Sequence, residues 1–309
     1  YINAFLLFFN GYTLNAQQYA KLVDTEIGSQ GSGLGCGFNF IGATYPFGMI
    51  QFTPSFFFPQ KGFVVNQLSG AGCPHMGNFP VLPIAGKLAQ SPKNMEGFKK
   101  YKAINDAHAG FLSVEMADKT IAKMTVTKRV GIANFKFDKS EKTGTVIIGA
   151  GISSTSISNA MLKITSNTSC EGFAEGGDFC GKSTKYRVYF AAEFDRPANT
   201  IGTWINDALL ENTNHAYGID SGAYFTFDTS ANSEVIYRIA ISYVSIENAK
   251  ENLNAKILEG DFNAYQANAE KAWDASLSKI IIETPNKDRA TQFYTHLYHS
   301  LIHPNIVSD

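Results

Sequence analysis

The chain of 309 residues is long enough for one large domain or two ordinary ones. Its formal net charge of −1, with 17% charged residues, excludes a basic field for nucleic acid or an acidic membrane surface. Aromatic residues reach 13%, with 24 Phe and 14 Tyr, which suits an extensive β-core, an aromatic-lined sugar site, or both.

Ile2 to Phe9 (INAFLLFF) is apolar but too short to span a bilayer, and the small and polar run TLNAQQ follows. Residues 1–18 therefore read as the remnant of a secretory signal peptide, which places the protein in a secreted or periplasmic location. A buried first strand is the competing reading. No other stretch is a candidate membrane span, and none is expected. Tyr19 to Glu26 is a short amphipathic lead-in to the region that organises the chain.

Between Gly28 and Pro83 glycines and aromatics are dense, and Lys61 carries the lone formal charge. Glycines let a backbone approach something closely. A stretch of this length without regular structure is usually functional in a compact domain. The alternative is an inert coil capping a β-core. Gly86 to Ala109 is polar and lysine-bearing and reads as an exposed loop.

From Gly110 the pattern turns β. Phe111, Val114 and Met116 begin it, followed by 121–127, 130–137, 145–148, 157–164, 186–194, 200–205, 223–227 and 235–244. These runs are short, bounded by Gly, Asn, Asp or Ser, and have no helical spacers, which predicts antiparallel sheets in a sandwich. The four cysteines, at 36, 73, 170 and 180, form no C-x-x-C pair, which argues against a zinc ribbon or a thioredoxin-type site. Cys170 and Cys180 flank a Gly-rich segment that a local disulfide could close. Cys36 and Cys73 could pair across the opening loops, and four buried thiols are the alternative.

After Ser245 the period becomes helical. Ser245 is placed to cap a helix to about Glu259, with Ile246, Ala249, Leu253 and Ile257 on one stripe and Gly260 as its stop. Asp261 is placed to cap a second, with Phe262, Tyr265, Ala269, Trp273 and Leu277 as its apolar stripe. Lys279 to Glu283 reads as a brief strand-like return. A third helix, roughly Arg289 to His303, carries Phe293, Leu297 and Leu301 and halts before Pro304. An apolar helix followed directly by NIVSD predicts an interrupted protein.

Four stretches resemble one family. IGATYPFGMIQFTP (Ile41 to Pro54) is similar to the PGA-x-x-PFGM-x-Q-x-(S/T)P signature of glycoside hydrolase family 92, the exported α-mannosidases. LSGAGC (Leu68 to Cys73) is similar to its H-L-S-G-x-G-C element. GFLSVEMADKTIAKMTVTKRVGIANFKF (Gly110 to Phe137) resembles its third landmark. AEKAWDASLSKIIIE and QFYTHLYHSLIHPNIVSD resemble its A-x-x-x-W-x-x-x-L-x-x-I and FYTALYHSLLAPNIFSD segments. The resemblance implies a mainly β fold, a large antiparallel β-sandwich of the galactose-mutarotase-like (supersandwich) type. Linker helices would then lead to an α/α helical barrel absent from this sequence. Residues 19–244 would be the sandwich, and 245–309 the linker helices with the start of the helical domain.

The same resemblance implies calcium-dependent, inverting hydrolysis of α-mannosides in mannose-containing glycans. Acid, base and most metal contacts would lie in the missing C-terminal helical domain, so no catalytic residue is assigned here and the metal ligands stay unassigned. The chain would supply sugar-subsite loops. Asn39 and Phe40 precede the G-A-x-x-P-F-G-M turn, and Phe58 is the candidate for stacking on a sugar face, with Phe56 and Phe57 beside it. Gln67, Ser69, Gly70, His75 and Asn78 supply groups suited to neutral polyols, since amides and hydroxyls both donate and accept. For His75 a structural hydrogen bond is the competing role. Asn66-Gln67 stands where the family has T-H, Ile41 replaces a proline, and the usual Trp-rich insert is shortened. These departures bear on linkage preference. His296 and His299 share a helix face but lack a carboxylate partner and an H-E-x-x-H pattern, so they read as packing residues. The rival function is a non-catalytic carbohydrate-binding or surface-adhesion β-sandwich.

Overall fold

Short β-branched and aromatic runs, punctuated by Gly, Asn and Asp, fold as strands because alternate side chains can be buried between two sheets. The computed structural model describes residues 18–30, 37–55, 60–97, 101–255 and 261–309. All but Gln18 of the expected signal-peptide remnant 1–18, Cys36, Phe56 to Phe58, the stripe residue Ile257 and the helix stop Gly260 lie outside these residues. The glycine-rich region holds β1 (Ala43–Thr44), β2 (Gln51–Pro54), β3 (Phe63–Val64) and β4 (Val81–Ala85). Then come β5 (Ala103–His108), β6 (Phe111–Glu115), β7 (Ile121–Val126), β8 (Val130–Lys136), β9 (Thr143–Gly149) and β10 (Ile157–Ser166). The remainder are β11 (Ser169–Gly176), β12 (Tyr186–Phe194), β13 (Thr200–Ile205), β14 (Ala208–Glu211), β15 (His215–Tyr217), β16 (Ser221–Asp228) and β17 (Glu234–Ser242).

They form two antiparallel sheets. One runs β1-β2-β3-β4-β9-β16-β13-β14, the other β15-β10-β11-β12-β17-β8-β7-β6-β5. The mainly β sandwich that strands without helical spacers predict is therefore present. Aromatics knit the sheets together: Phe194 of β12 lies 4.8 Å from Phe225 and 5.0 Å from Phe227 of β16, and 5.2 Å from Tyr237 of β17.

Eight strands depart from the sequence reading: β1 to β4 lie in the region read as lacking regular structure, and β5, β11, β14 and β15 lie in segments not read as strands. β11 fills the segment read as a Gly-rich turn, and β5 fills part of the segment read as an exposed loop. Lys279 to Glu283 is not a strand. The cysteine pairings also differ. Cys73 is bonded to Cys180, 107 residues apart, and Cys170 is a free, buried thiol. The cause is alternation along β11. Cys170 is paired with Ile164 and Ala192 and faces the inter-sheet core, whereas Cys180 lies in a 3₁₀ turn (Phe179–Gly181) beyond the strand.

Three helices follow the sandwich: α1 (Ile246–Asn254), α2 (Phe262–Leu277) and α3 (Lys287–Ile302). Ser245, Asp261 and Asn286 cap them, each side chain accepting from a first-turn N–H. Ala249 and Leu253 of α1 and Phe262 and Tyr265 of α2 pack on Ala191, Ala240, Ile132 and Phe111, covering the outer face of the nine-stranded sheet. The second half of α2 meets α3 and the 3₁₀ turn Tyr19–Leu22 in a separate cluster containing Trp273, Leu277, Tyr294 and Tyr298. The α2 stripe read from the sequence is its buried set. In α3 the buried side chains are Tyr294, Thr295, Tyr298 and Ile302. Phe293, Leu297 and Leu301, the expected stripe, are half-buried at that cluster's margin.

Candidate functional site

The glycine-rich region is held by specific cross-links. Asn39 N–H donates to the Gly28 carbonyl at 3.1 Å, and Gly70 N–H donates to the Phe38 carbonyl at 2.8 Å. A Cβ on Gly28, whose φ is +79°, would meet Asn39 Nδ2 at 2.5 Å, so glycine is required for that approach. Phe38, Phe47, Met76 and Phe79 have positive φ of 53°, 53°, 40° and 53°. Bulky residues rarely adopt this region, and such strain clusters at ligand sites.

Helix α3 reaches this loop. Trp273 of α2 donates its indole N–H to the Thr44 carbonyl at 2.7 Å, and the Thr44 and Tyr298 hydroxyls are bonded at 2.9 Å. That anchorage sets the end of α3 beside the loop. Asn39 Nδ2 lies 3.5 Å from His299 Nδ1, Ser69 Oγ donates to Asn39 Oδ1 at 3.3 Å, and His303 Nε2 lies 3.1 Å from the Ser69 carbonyl. An amide N–H can only donate, so His299 accepts through Nδ1 and carries its proton on Nε2. That buried Nε2–H has no partner among the described residues. Burial, aided by the charge of nearby His296, holds His299 below the usual histidine range and hence neutral.

His75 is fully buried and braces the loop. Its Nδ1 is 2.7 Å from the Cys73 carbonyl, and its Nε2 accepts from Leu68 N–H at 2.8 Å. Burial lowers its pKa against the opposing pull of the Cys73 carbonyl and of the Leu68 carbonyl, which lies 3.2 Å from Nε2. Its ring packs on Phe179 at 5.2 Å, next to the Cys73–Cys180 bond. Asn78 is also fully buried: its Oδ1 accepts from Asn66 Nδ2 at 3.0 Å and from the Tyr186 hydroxyl at 2.8 Å. Phe40 and Gln67 are 3% and 1% exposed, Ser69 is half-buried and Gly70 is exposed. The structure thus gathers Asn39, Ser69 and Gly70 at one wall and sets His75 and Asn78 behind the loop. Sequence reasoning took His299, with His296, for a packing residue and passed over His303. Their four-residue spacing at the end of one helix put them on a shared face, but nothing local tied that face to Asn39.

Comparison with known proteins completes the picture. Residues 22–242 match the glycosyl hydrolase family 92 N-terminal domain. The chain belongs to this family. Residues 248–309 match the glycosyl hydrolase family 92 catalytic domain. The structure of a family 92 α-mannosidase, BT3965 from Bacteroides thetaiotaomicron, superposes with a TM-score of 0.83 at 24% identity, over 95% of this chain and 42% of that one. The same enzyme in complex with mannoimidazole gives 0.83 at 25% identity, over 94% and 41%. The family 92 glycosyl hydrolase ccman5 gives 0.82 at 23%, over 94% and 42%. The chain therefore spans less than half the length of these relatives. Comparison with curated proteins gave no match.

The wall offers amide, hydroxyl, imidazole and backbone groups, which can bind and orient a neutral polyol. The calcium that the family resemblance implies takes 6–8 oxygen ligands, commonly with carboxylates among them. Asn39 Oδ1 and Ser69 Oγ are engaged with each other, and among the described residues no group of three or more His, Cys, Asp or Glu is placed to hold a metal ion. These residues do not make a calcium cage by themselves, and no chemical step is assigned to one here.

Proposed function

We propose that the protein is an exported, inverting α-mannosidase and that this chain supplies part of its sugar-binding wall. The observation that carries the reading is the Asn39–Ser69–His299 cluster, a neutral hydrogen-bonding surface beside the positive-φ residues Phe38 and Gly70, in a chain of a glycosyl hydrolase family. The α-mannosidase BT3965, studied with mannoimidazole, is a structural neighbour that supports mannose as the sugar. Asn39 and Ser69 would orient hydroxyls of a mannose-containing glycan, and the unpartnered His299 Nε2–H would donate to one. Inversion needs a carboxylic acid to protonate the leaving oxygen and a carboxylate about 6.5–9.5 Å away to activate water. We place both, and the ligands of a calcium cofactor, in the helical domain of the whole protein. The Cys73–Cys180 bond supports a secreted or periplasmic setting, since disulfides persist in oxidising compartments.

The test is hydrolysis of an aryl α-mannoside by the whole protein, with the anomer of released mannose read by NMR. Release of β-mannose, with no turnover by the 309-residue chain alone, is expected. Turnover by the isolated chain that a Glu or Asp substitution abolishes would overturn the assignment of catalysis. Mannoside binding by the whole protein without turnover would favour the carbohydrate-binding sandwich instead.

A further inference from the structure

His108, at the end of β5, is held between two carboxylates. Its Nδ1 lies 3.0 Å from Asp106 Oδ1 and its Nε2 lies 3.0 Å from Glu270 Oε1 of α2. The imidazole is 5% exposed and Glu270 is 17% exposed, whereas Asp106 is 57% exposed. Water therefore screens the Asp106 contact and leaves Glu270 as the dominant partner. We propose that Asp106, His108 and Glu270 form a pH-dependent latch that fastens helix α2 to the sandwich, tighter in acid than above neutrality.

The donor count explains the direction. A protonated imidazole donates from both nitrogens and satisfies both carboxylates. A neutral one has a single N–H, so one carboxylate faces a lone pair and the remaining bond loses its charge assistance. The other groups around the latch do not replace that proton. Gln266 Nε2 donates to Glu270 Oε1 at 2.8 Å, Lys21 acts on Glu270 only through its longer-range charge, and the Phe111 ring packs on the imidazole at 5.3 Å. Burial alone would lower the pKa of His108, but the bonds to Glu270 and Asp106 outweigh it and raise it. Glu270 is lowered in turn, first by its bond to His108. A raised folded-state pKa means that the added stability is fully present below the unfolded value of about 6.5 and fades as pH climbs through the folded one.

The latch bears on more than one contact. Asp274, one turn beyond Glu270, accepts from Ala20 N–H at 2.8 Å, and Trp273 beside it binds the Thr44 carbonyl. Loosening α2 at Glu270 therefore reaches the strand next to the glycine-rich loop. None of this depends on which sugar the loop binds.

Two measurements on the intact protein test the latch by mass spectrometry. Exchange of the imidazole Cε1–H reads the protonation of His108, and amide exchange reads the protection of α2 after correction for intrinsic rates. The expected results are a His108 midpoint above the ordinary 6.5 and α2 protection that falls about fivefold between pH 5.5 and 8.5, the difference between a charged and a neutral hydrogen bond. His108→Gln, which keeps one neutral donor, should give pH-independent protection. Glu270→Gln should return the midpoint toward the ordinary value. A wild-type midpoint at or below 6.5, or α2 protection with the same pH dependence in His108→Gln, overturns the proposal.

Discussion

The bond between the Thr44 and Tyr298 hydroxyls is open to a quantitative test. It joins β1 to α3 at 2.9 Å, and the two residues are 1% and 0% exposed, so no bulk water can replace either partner. Tyr298→Phe leaves Thr44 Oγ1 unpaired, and Thr44→Val leaves the phenol unpaired. Each is expected to cost about 1–3 kcal/mol, the penalty for stranding a buried polar group. The double variant removes both groups with little change of shape, so it should cost less than the sum, giving a coupling of about 1–2 kcal/mol. Neither change touches the Trp273 bond to the Thr44 carbonyl, which keeps the surrounding packing comparable. Equilibrium unfolding in urea, with equal slopes across the four proteins, measures the cycle. Additivity within about 0.5 kcal/mol would refute the claim that the two hydroxyls depend on each other.

Three further outcomes follow from specific contacts. Cys73→Ser opens a loop of 107 residues and is expected to cost about 4–5 kcal/mol, with melting of the wild type becoming sensitive to reductant; reductant-insensitive melting would count against it. Gly172→Ala places a Cβ 2.0 Å from the Met161 carbonyl, so it should destabilise by about 1–3 kcal/mol or more. Gly177→Ala, whose nearest neighbour would be the Thr184 carbonyl at 3.4 Å, should stay within about 0.5 kcal/mol in the same thermal assay. If Gln67 contributes a leaving-group hydrogen bond, Gln67→Ala in the whole enzyme should reduce kcat/KM for oligomannosides up to about a hundredfold and spare aryl mannosides. An equal loss on both substrates would make Gln67, which is 1% exposed, a structural residue.

What the sequence reveals depends on whether a residue's neighbours are local. The stripe of α2 and the caps at Ser245 and Asp261 follow from spacing within one element, and they appear as read. β11 was hidden because its inward positions are Cys170, Gly172, Ala174 and Gly176. Small residues are needed there: a Cβ on Gly176 would meet the Tyr186 ring at 2.4 Å, and the same demand erases the apolar alternation that marks a strand. β5 was hidden for a different reason. It is the edge of the nine-stranded sheet, where polar and charged side chains are tolerated and guard against pairing with another chain. The Cys73–Cys180 bond joins segments brought together only by the fold, so spacing alone could not find it.

The candidate site shows the same division. Glycine density and missing charge located the loop, because close backbone approach needs glycine wherever the partner lies. Its second wall is non-local. Ala20 N–H bonded to Asp274 and Asp24 N–H bonded to Thr295 tie the lead-in segment to α2 and α3. Trp273 then fixes Thr44, Thr44 fixes Tyr298, and the next residue of α3 presents His299 to Asn39. The Trp273 and Tyr298 links are fully buried and the others half-buried, so the position of His299 rests on several contacts that must form together. A change at Trp273 should therefore disturb the pairing of Asn39 with His299 even though Trp273 bonds to neither, whereas an equal change in the distant Phe194 cluster should lower stability and leave the loop geometry intact.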